Sequence, residues 1–160
     1  MIQATTETTF KIYVQTEDNR INTAVASTQI RHLVKFTNDL DKSVYYAYGA
    51  SETIKDRFTT INIVYNINPD IYTGKTKIFP AGYYKYEIYE VSWIGTVTIS
   101  LGNAPATEDD VLSPAADTKG IVQGLVTKGK MNLSEKDGTQ QVQYTQREAP
   151  IENNYIYYGQ

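Results

Sequence analysis

The sequence predicts an all-β protein that folds as an antiparallel β-sandwich, with a small β-barrel as the alternative. Short runs in which apolar and polar residues alternate are the first indication, because alternation is typical of half-buried strands. Turn-forming residues separate these runs, and no window shows the 3.6-residue apolar period of a helix. The third indication is composition: the 160-residue chain contains 14 Tyr, 4 Phe and 1 Trp, and tyrosine favours strands.

The predicted strands follow the alternating runs in chain order. In the first run, Phe10, Ile12 and Val14 alternate with Lys11 and Tyr13. The later runs are residues 30–37, 44–48, 58–67, 78–79, 83–93, 96–99, 121–133 and 141–144. The run that follows Gly95 is expected to pair with the long run before it, and an Asp-Gly pair favours a hairpin between the last two runs.

We expect a single domain over residues 1–160, since a chain of this length can bury a core of its own. Residues 1–8 are predicted to form an extended N-terminal arm, residues 102–119 a long acidic loop, and residues 147–160 a C-terminal tail or last strand. The expected core comprises apolar side chains of the runs: Phe10, Ile12, Val34, Phe36, Phe58, Ile61, Ile63, Tyr84, Tyr86, Ile88, Val97, Ile99, Val122 and Val126.

A motif at the start of the run 83–93 makes the sandwich prediction more specific. Gly82, Tyr84 and Tyr86 are spaced like the residues that open the penultimate strand of immunoglobulin-like sandwiches. In those folds the tyrosine hydroxyl bonds to nearby backbone and fixes a corner. The cysteine of antibody domains would fall at Tyr86 and is absent. The motif therefore predicts an immunoglobulin-like sandwich with a structural corner at these residues.

The apolar pattern of the same run changes parity. Glu90 interrupts the face that carries Tyr84 and Ile88, and Val91 and Trp93 then occupy the other parity. An extra residue in one strand shifts the alternation by one, so we expect a β-bulge near residues 89–90.

Several short segments carry a family resemblance. The segments FTNDLDKSVYYAY (36–48), FPAGYYKYEIYE (79–90) and the C-terminal NNYIYYG resemble small immunoglobulin-like virion structural proteins, of the head auxiliary or decoration type, from marine and crAss-like bacteriophages. The likeness covers residues 30–159. It implies a virion protein, synthesised in the host bacterial cytoplasm, that binds major capsid, connector or tail proteins. A neck, tail or baseplate location, a receptor- or carbohydrate-binding module of a fibre, and homo-oligomerisation in the particle remain alternatives.

Residues that catalysis would need are scarce. The chain contains no cysteine, which excludes disulfides, thiolate catalysis and cysteine metal sites. His32 is the one histidine, and no Gly-x-Ser-x-Gly motif is present. We interpret His32 as a surface strand residue, and a single histidine cannot build the usual histidine-rich zinc site. We therefore expect a non-enzymatic protein without a cofactor.

Two patterns approach ligand sites without meeting their chemistry. Residues 69–76, PDIYTGKT, resemble a phosphate-binding loop, but proline stands where the first glycine should be and has no N–H for a phosphate. We interpret this stretch as a polar turn. The acidic residues Glu108, Asp109, Asp110 and Asp117 lack the spacing of a calcium-binding loop, which indicates a solvated loop.

Charge and hydropathy weigh against other classes of partner. The formal net charge is -3 and the pI is about 5.2, which leaves no basic surface for nucleic acid or an anionic membrane. No apolar run approaches the roughly 20 residues of a membrane helix. A platform of exposed tyrosines with Trp93 could hold carbohydrate, and this remains the alternative to protein partners.

The predicted interaction segments are the tyrosine-rich tail and the acidic loop. Tyr155, Ile156, Tyr157 and Tyr158, together with residues 102–119, are expected to contact neighbouring proteins. Tyrosine suits half-buried interfaces, and an extended tail can add a strand to an open sheet edge. For the tail, an ordinary last strand of the domain is the alternative.

Overall fold

The computed structural model describes residues 1–113 and 116–138. Within these residues the chain is all-β, as predicted, with short 3-10 turns between strands. The strands are β1 (Ile2–Thr5), β2 (Phe10–Val14), β3 (Ile30–Asn38), β4 (Val44–Tyr48), β5 (Ser51–Ile54), β6 (Thr59–Tyr65), β7 (Lys75–Thr76), β8 (Gly82–Ser92) and β9 (Ile121–Ser134).

The strands form two sheets whose order is that of an immunoglobulin-like sandwich. The first sheet has the order β1-β9-β8-β3-β4, and the second has the order β2-β6-β5, with β7 pairing with β6. In immunoglobulin terms, β2, β6 and β5 take the places of strands B, E and D, while β9, β8, β3 and β4 take those of G, F, C and C′. The sandwich prediction is confirmed.

Two pairings correct the purely antiparallel arrangement. Strand β1 pairs in parallel with β9, with Ile2 opposite Met131, and β6 pairs in parallel with β7. Residues 2–5 therefore form an edge strand of the first sheet instead of a free arm. Their backbone groups satisfy hydrogen bonds that the edge of β9 would otherwise leave unmade.

The predicted strand at residues 96–99 is wrong, and so is the short one at 78–79, since neither segment is in a strand. β8 already pairs with β3 on one side and β9 on the other, so no ladder position is free for residues 96–99. Strand β5 is short and was not predicted. The run 141–144 and the tail 147–160 lie outside the described residues.

The main core lies between the two sheets. Eight predicted core residues are buried there: Ile12, Val34, Phe36, Ile61, Ile63, Tyr84, Ile88 and Val126. Phe10 and Tyr86 are partly buried against this core. Phe58 was predicted wrongly, because it precedes β6 in a turn and is 40% exposed. Its ring lies against that of Tyr13 on the outer surface, with the ring centroids 6.3 Å apart.

A second core covers the outer face of the first sheet. Leu33, Tyr48, Val91, Trp93 and Ala104 are buried there. The predicted core residues Val97, Ile99 and Val122 are partly buried against this cluster instead of the main core. Its cover is the long loop between β8 and β9, residues 93–120. Because the outer face of the sheet is buried at this end, Val91 and Trp93, which face it, are apolar.

A register irregularity is present near residues 89–90, as predicted, but its extra residues, Gln123 and Val126, lie in β9 and not in the run 83–93. The register of β8 against β9 shifts between Ile88 and Tyr89, and again between Glu90 and Val91. The pairing of β8 with β3 runs without a shift through the same residues. The bulge is therefore local to the β8–β9 ladder, and the second core accounts for the change of apolar parity.

Candidate functional site

Two long loops meet at one end of the sandwich, which we call the loop end: residues 15–29, between β2 and β3, and residues 93–120. They correspond to the B–C and F–G loops, which lie at the binding end of variable immunoglobulin domains. The two loops are in contact, since the Gln29 amide nitrogen donates to the Ile94 carbonyl oxygen at 2.6 Å. Long loops that a rigid scaffold positions often carry the function of a domain.

Glu90 anchors the first of these loops. Its side chain projects from the inner face of β8 and is 1% exposed. One carboxylate oxygen accepts the backbone N–H of Ile21 at 2.9 Å, and the other accepts that of Asn22 at 2.8 Å. Burial of a carboxylate costs free energy unless hydrogen-bond donors of this kind replace its lost water contacts. The sequence signal for this anchor was a glutamate at a position of the run 83–93 that otherwise carries core residues.

His32 was predicted to lie on the surface, and the structure corrects this. It lies on the inner face of β3, opposite Glu90, and is 2% exposed. Its ring nitrogen Nδ1 contacts the carboxylate of Glu52 on β5, so the pair joins the two sheets near the loop end. A buried imidazole needs a polar partner, and only the fold brings residues from different sheets together.

The second loop is held on the outer face of the first sheet by Glu108. Lys35 on β3 and Tyr46 on β4 are register partners on this face. The carboxylate of Glu108 contacts the Lys35 ammonium and accepts the Tyr46 hydroxyl at 2.6 Å. The side chains of Lys35 and Glu108 are 19% and 15% exposed, so the ion pair is largely shielded from water.

The protonation equilibria of this cluster favour the ion pair at neutral pH. Burial tends to raise the pKa of Glu108, but hydrogen bonds from Lys35 and Tyr46 outweigh it and hold that pKa below its ordinary value. The bond with Glu108 raises the pKa of Lys35 well above its ordinary value. Burial, followed by the hydrogen bond to Glu108, raises the pKa of Tyr46 to about 12.

Further contacts fix the loop over the second core. The indole Nε1 of Trp93 donates to the Thr118 carbonyl oxygen at 3.1 Å, and the Tyr48 hydroxyl donates to that of Pro105 at 2.8 Å. Burial raises the pKa of the Tyr48 hydroxyl strongly. Trp93 and Tyr48 are fully buried, so Trp93 cannot serve as an exposed carbohydrate platform.

The loop end carries a groove of about 410 Å³ between residues 108–112 and 116–120 and the start of β9. Both apolar and charged side chains line it. Its described lining residues are Ile94, Glu108, Asp109, Asp110, Val111, Leu112, Ala116, Asp117, Lys119, Gly120, Ile121 and Val122. Val111 is 91% exposed and Ile94 is 65% exposed. The predicted interaction segment 102–119 thus contributes most of one wall.

The predicted corner residues lie at the other end of β8. Gly82 opens the strand with a φ of 147°. The buried Tyr84 donates its hydroxyl to the Pro80 carbonyl oxygen, four residues earlier in the chain. The ring of Tyr86 covers Gly129 of β9, where a Cβ atom would lie 2.6 Å from the tyrosine hydroxyl. These residues therefore shape the entry to β8 and do not line the groove.

The remaining predicted features have simple places in the structure. The predicted turn is present over residues 69–74, where Asp70 accepts the Tyr72 N–H and Gly74 is left-handed, but residues 75–76 belong to strand β7. Across residues 1–113 and 116–138, no three acidic or histidine side chains converge to hold a metal ion. No helix in that part of the chain could cross a membrane. Tyr155, Ile156, Tyr157 and Tyr158 lie outside the described residues.

The loop end thus consists of two anchored loops, and its surface carries the groove. A scan against family models and searches of curated proteins and of solved structures find no match to this chain.

Proposed function

We propose that this chain is a structural protein of a bacteriophage particle, of the capsid auxiliary or decoration type, that binds neighbouring particle proteins through its loop end. Two considerations support the proposal. The segments at 36–48 and 79–90 resemble virion proteins of this type. The loop end also exposes Ile94, Val111 and Ile121 around one groove, and exposed apolar side chains that lie together often mark interaction sites.

The anchoring of the loop end is the observation that carries the proposal. Glu90 and Glu108 hold the two loops on the sandwich through buried or largely buried contacts. A surface that is already ordered loses little conformational entropy when it binds, which favours stable assembly with a neighbour. Connector and tail proteins are the alternative neighbours, since the same surface would suit them.

A carbohydrate-binding module of a fibre is the second candidate. The observation that favours it is the exposed pair of Tyr13 and Phe58, which are 63% and 40% exposed. Lys55 lies 5.7 Å from the centre of the Phe58 ring. The ring planes of Tyr13 and Phe58 are inclined by 53°, so the two rings form a bent surface and not a flat platform. Glycan-array binding that disappears in Tyr13→Ala would support this candidate.

Quantitative mass spectrometry of the purified source particle tests the main proposal. Copies of this chain are counted against the major capsid protein. A ratio near one, or a simple fraction of it, would support shell decoration, because closed symmetry fixes copy numbers. A few copies to a few dozen would indicate a vertex, neck or tail. Absence of the chain from the particle would overturn the proposal.

A further inference from the structure

We infer that the groove at the loop end binds a segment of a partner protein that carries lysine or arginine side chains beside aliphatic or aromatic ones. The inference rests on the proposed function and deepens it, because it specifies the chemistry of the partner. It is drawn from the apolar floor of the groove and from the charges around it.

The apolar part of the groove lining, which we call its floor, is aliphatic and open to water. Ile94 and Ile121 are 65% and 49% exposed, and Val111 is 91% exposed. Leu112 and Val122 extend the same lining. When a partner covers such side chains, the free energy of binding becomes more favourable, roughly in proportion to the apolar area removed from water. An apolar side chain of the partner therefore fits the floor.

Acidic side chains outnumber basic ones in the described lining of the groove, and we call these acidic side chains its rim. Among the described residues, Asp109, Asp110 and Asp117 form no ion pair, whereas Glu108 is already paired with Lys35. Hydrogen bonds, led by that from the Ala106 backbone N–H, hold the pKa of Asp110 below its ordinary value, so this carboxylate stays ionised.

The groove contains one cation among its described lining residues, Lys119, whose ammonium donates to the Gly102 carbonyl oxygen. Within the described part of the chain, three carboxylates that form no ion pair thus outweigh one ammonium. A positively charged partner would complement this rim and would also approach faster, since opposite charges steer association.

The arrangement of the carboxylates suits a partner with several separated cations better than a single bound ion. The described acidic side chains do not converge into a group that could hold a metal. They line the groove beside its aliphatic residues, so a peptide segment can place its cations at the rim and an apolar side chain on the floor. Protein interfaces combine apolar contacts with polar and charged ones in this way.

Titration with three synthetic fluorescent peptides of equal length tests the inference with the full chain. The first peptide alternates lysine and leucine, the second replaces each lysine by glutamate, and the third replaces each leucine by serine. Binding is followed by fluorescence anisotropy, and amide chemical shifts locate the contact. We expect the lysine–leucine peptide to bind most tightly, to shift residues 94, 111 and 121, and to weaken as salt increases.

Charge variants separate the rim from the net charge of the protein. We expect Asp109→Asn/Asp117→Asn to weaken binding of the lysine–leucine peptide about tenfold, at about threefold for each exposed pair lost. Asp110 is left intact because it orders its own loop. The matched control, Asp56→Asn/Glu135→Gln, removes the same charge from exposed sites outside the groove and should leave the affinity unchanged.

Apolar variants test the floor in the same way. Val111→Ser/Ile121→Thr should weaken binding of the lysine–leucine peptide at least about fivefold, since each substitution removes apolar contact area. Leu40→Ser/Ile67→Thr is the control, because these aliphatic residues are 90% and 67% exposed outside the groove. Equal binding of the glutamate–leucine peptide, or equal losses in variant and control pairs, would overturn the inference.

The test is independent of the particle measurement. If the chain is absent from the particle but the groove binds the lysine–leucine peptide as expected, the proposed function fails and the inferred partner chemistry stands. If the chain is a counted particle component but no peptide binds the groove, the inference fails and the proposed function stands.

Discussion

The imidazole of His32 on β3 contacts the carboxylate of Glu52 on β5, so a buried polar pair links the two sheets of the sandwich. Both side chains are 3% exposed. The second carboxylate oxygen of Glu52 accepts the backbone N–H of His32 at 3.2 Å. The short edge strand β5 is thereby attached to β3, an internal strand of the opposite sheet, by side-chain contacts.

Removal of Glu52 tests the energetic weight of this pair. We expect Glu52→Ala to lower the free energy of unfolding by about 3 kcal/mol, because a buried imidazole and a backbone N–H lose their partner. Ser51→Ala, at the neighbouring exposed position, is the control and should change it by less than about 0.5 kcal/mol. Urea unfolding followed by circular dichroism measures both. Equal effects of the two substitutions would contradict the expectation.

The hydroxyl of Tyr84 can be tested against that of Tyr86. Tyr84→Phe removes the donor to the Pro80 carbonyl oxygen and should cost about 1 kcal/mol of unfolding free energy. Within the described part of the chain the Tyr86 hydroxyl has no hydrogen bond, so Tyr86→Phe should change stability by less than about 0.5 kcal/mol. Thermal and urea unfolding of both variants supply the comparison. A larger loss for Tyr86→Phe would refute the assigned corner.

The carboxylate of Glu90 should control local opening of residues 20–25. Glu90→Gln leaves one oxygen acceptor where two backbone N–H groups now bind. Amide hydrogen exchange at Ile21 and Asn22 should accelerate about tenfold or more, since each bond to a charged acceptor contributes about 1.5–3 kcal/mol. Glu87→Gln on the outer face is the control and should leave these two amides unchanged.

The attachment of the long loop should depend on pH through Glu108. Because the folded-state pKa of Glu108 is lowered, its contribution to stability is present above its ordinary pKa and is lost as pH falls through the lowered value. Trp93 is the one tryptophan of the chain and lies under this loop. Its fluorescence emission should shift to longer wavelength on acidification, and the shift should be smaller in Glu108→Gln. Glu135→Gln should behave like the unaltered protein.

The same cluster should weaken in strong alkali. The folded-state pKa of Tyr46 is raised to about 12, so its contribution is full below its ordinary value of 10.0 and is lost as pH rises through the raised value. Lys35 changes in the same direction. Tyr46→Phe should remove the part of the alkaline transition that belongs to this hydroxyl, as measured by Trp93 emission. An unchanged alkaline transition in Tyr46→Phe would contradict the assignment.

Gly120 makes room for the indole of Trp93. A Cβ atom at this position would lie 2.6 Å from Trp93 Cζ2 and 2.9 Å from Val91 Cγ1. We expect Gly120→Ala to destabilise the protein by about 1–3 kcal/mol, as overpacking of a core does, and to alter Trp93 emission. Thr118→Ala is the control, because it keeps the backbone carbonyl that accepts the indole N–H. Wild-type stability of Gly120→Ala would be inconsistent with the tight packing.

The sequence by itself determined the features that depend on neighbouring residues. Alternation placed Val34 and Ile88 on the core-facing sides of their strands, because successive side chains of a strand point to opposite faces. The corner motif is equally local, since the hydroxyl of Tyr84 reaches backbone only four residues away. Exposed Phe58 was assigned wrongly because a turn residue next to a strand carries the same apolar signal.

Tertiary structure decided which distant residues meet. Glu108 contacts Lys35 across 73 residues of chain, and His32 meets Glu52 only because β3 and β5 belong to facing sheets. The second core around Trp93 arises because an irregular loop folds back over the sheet. An irregular loop has no periodic pattern from which such contacts could be predicted. The pattern of a strand predicts which of its faces is apolar, but not which element covers that face. The groove therefore became visible only once the chain was folded.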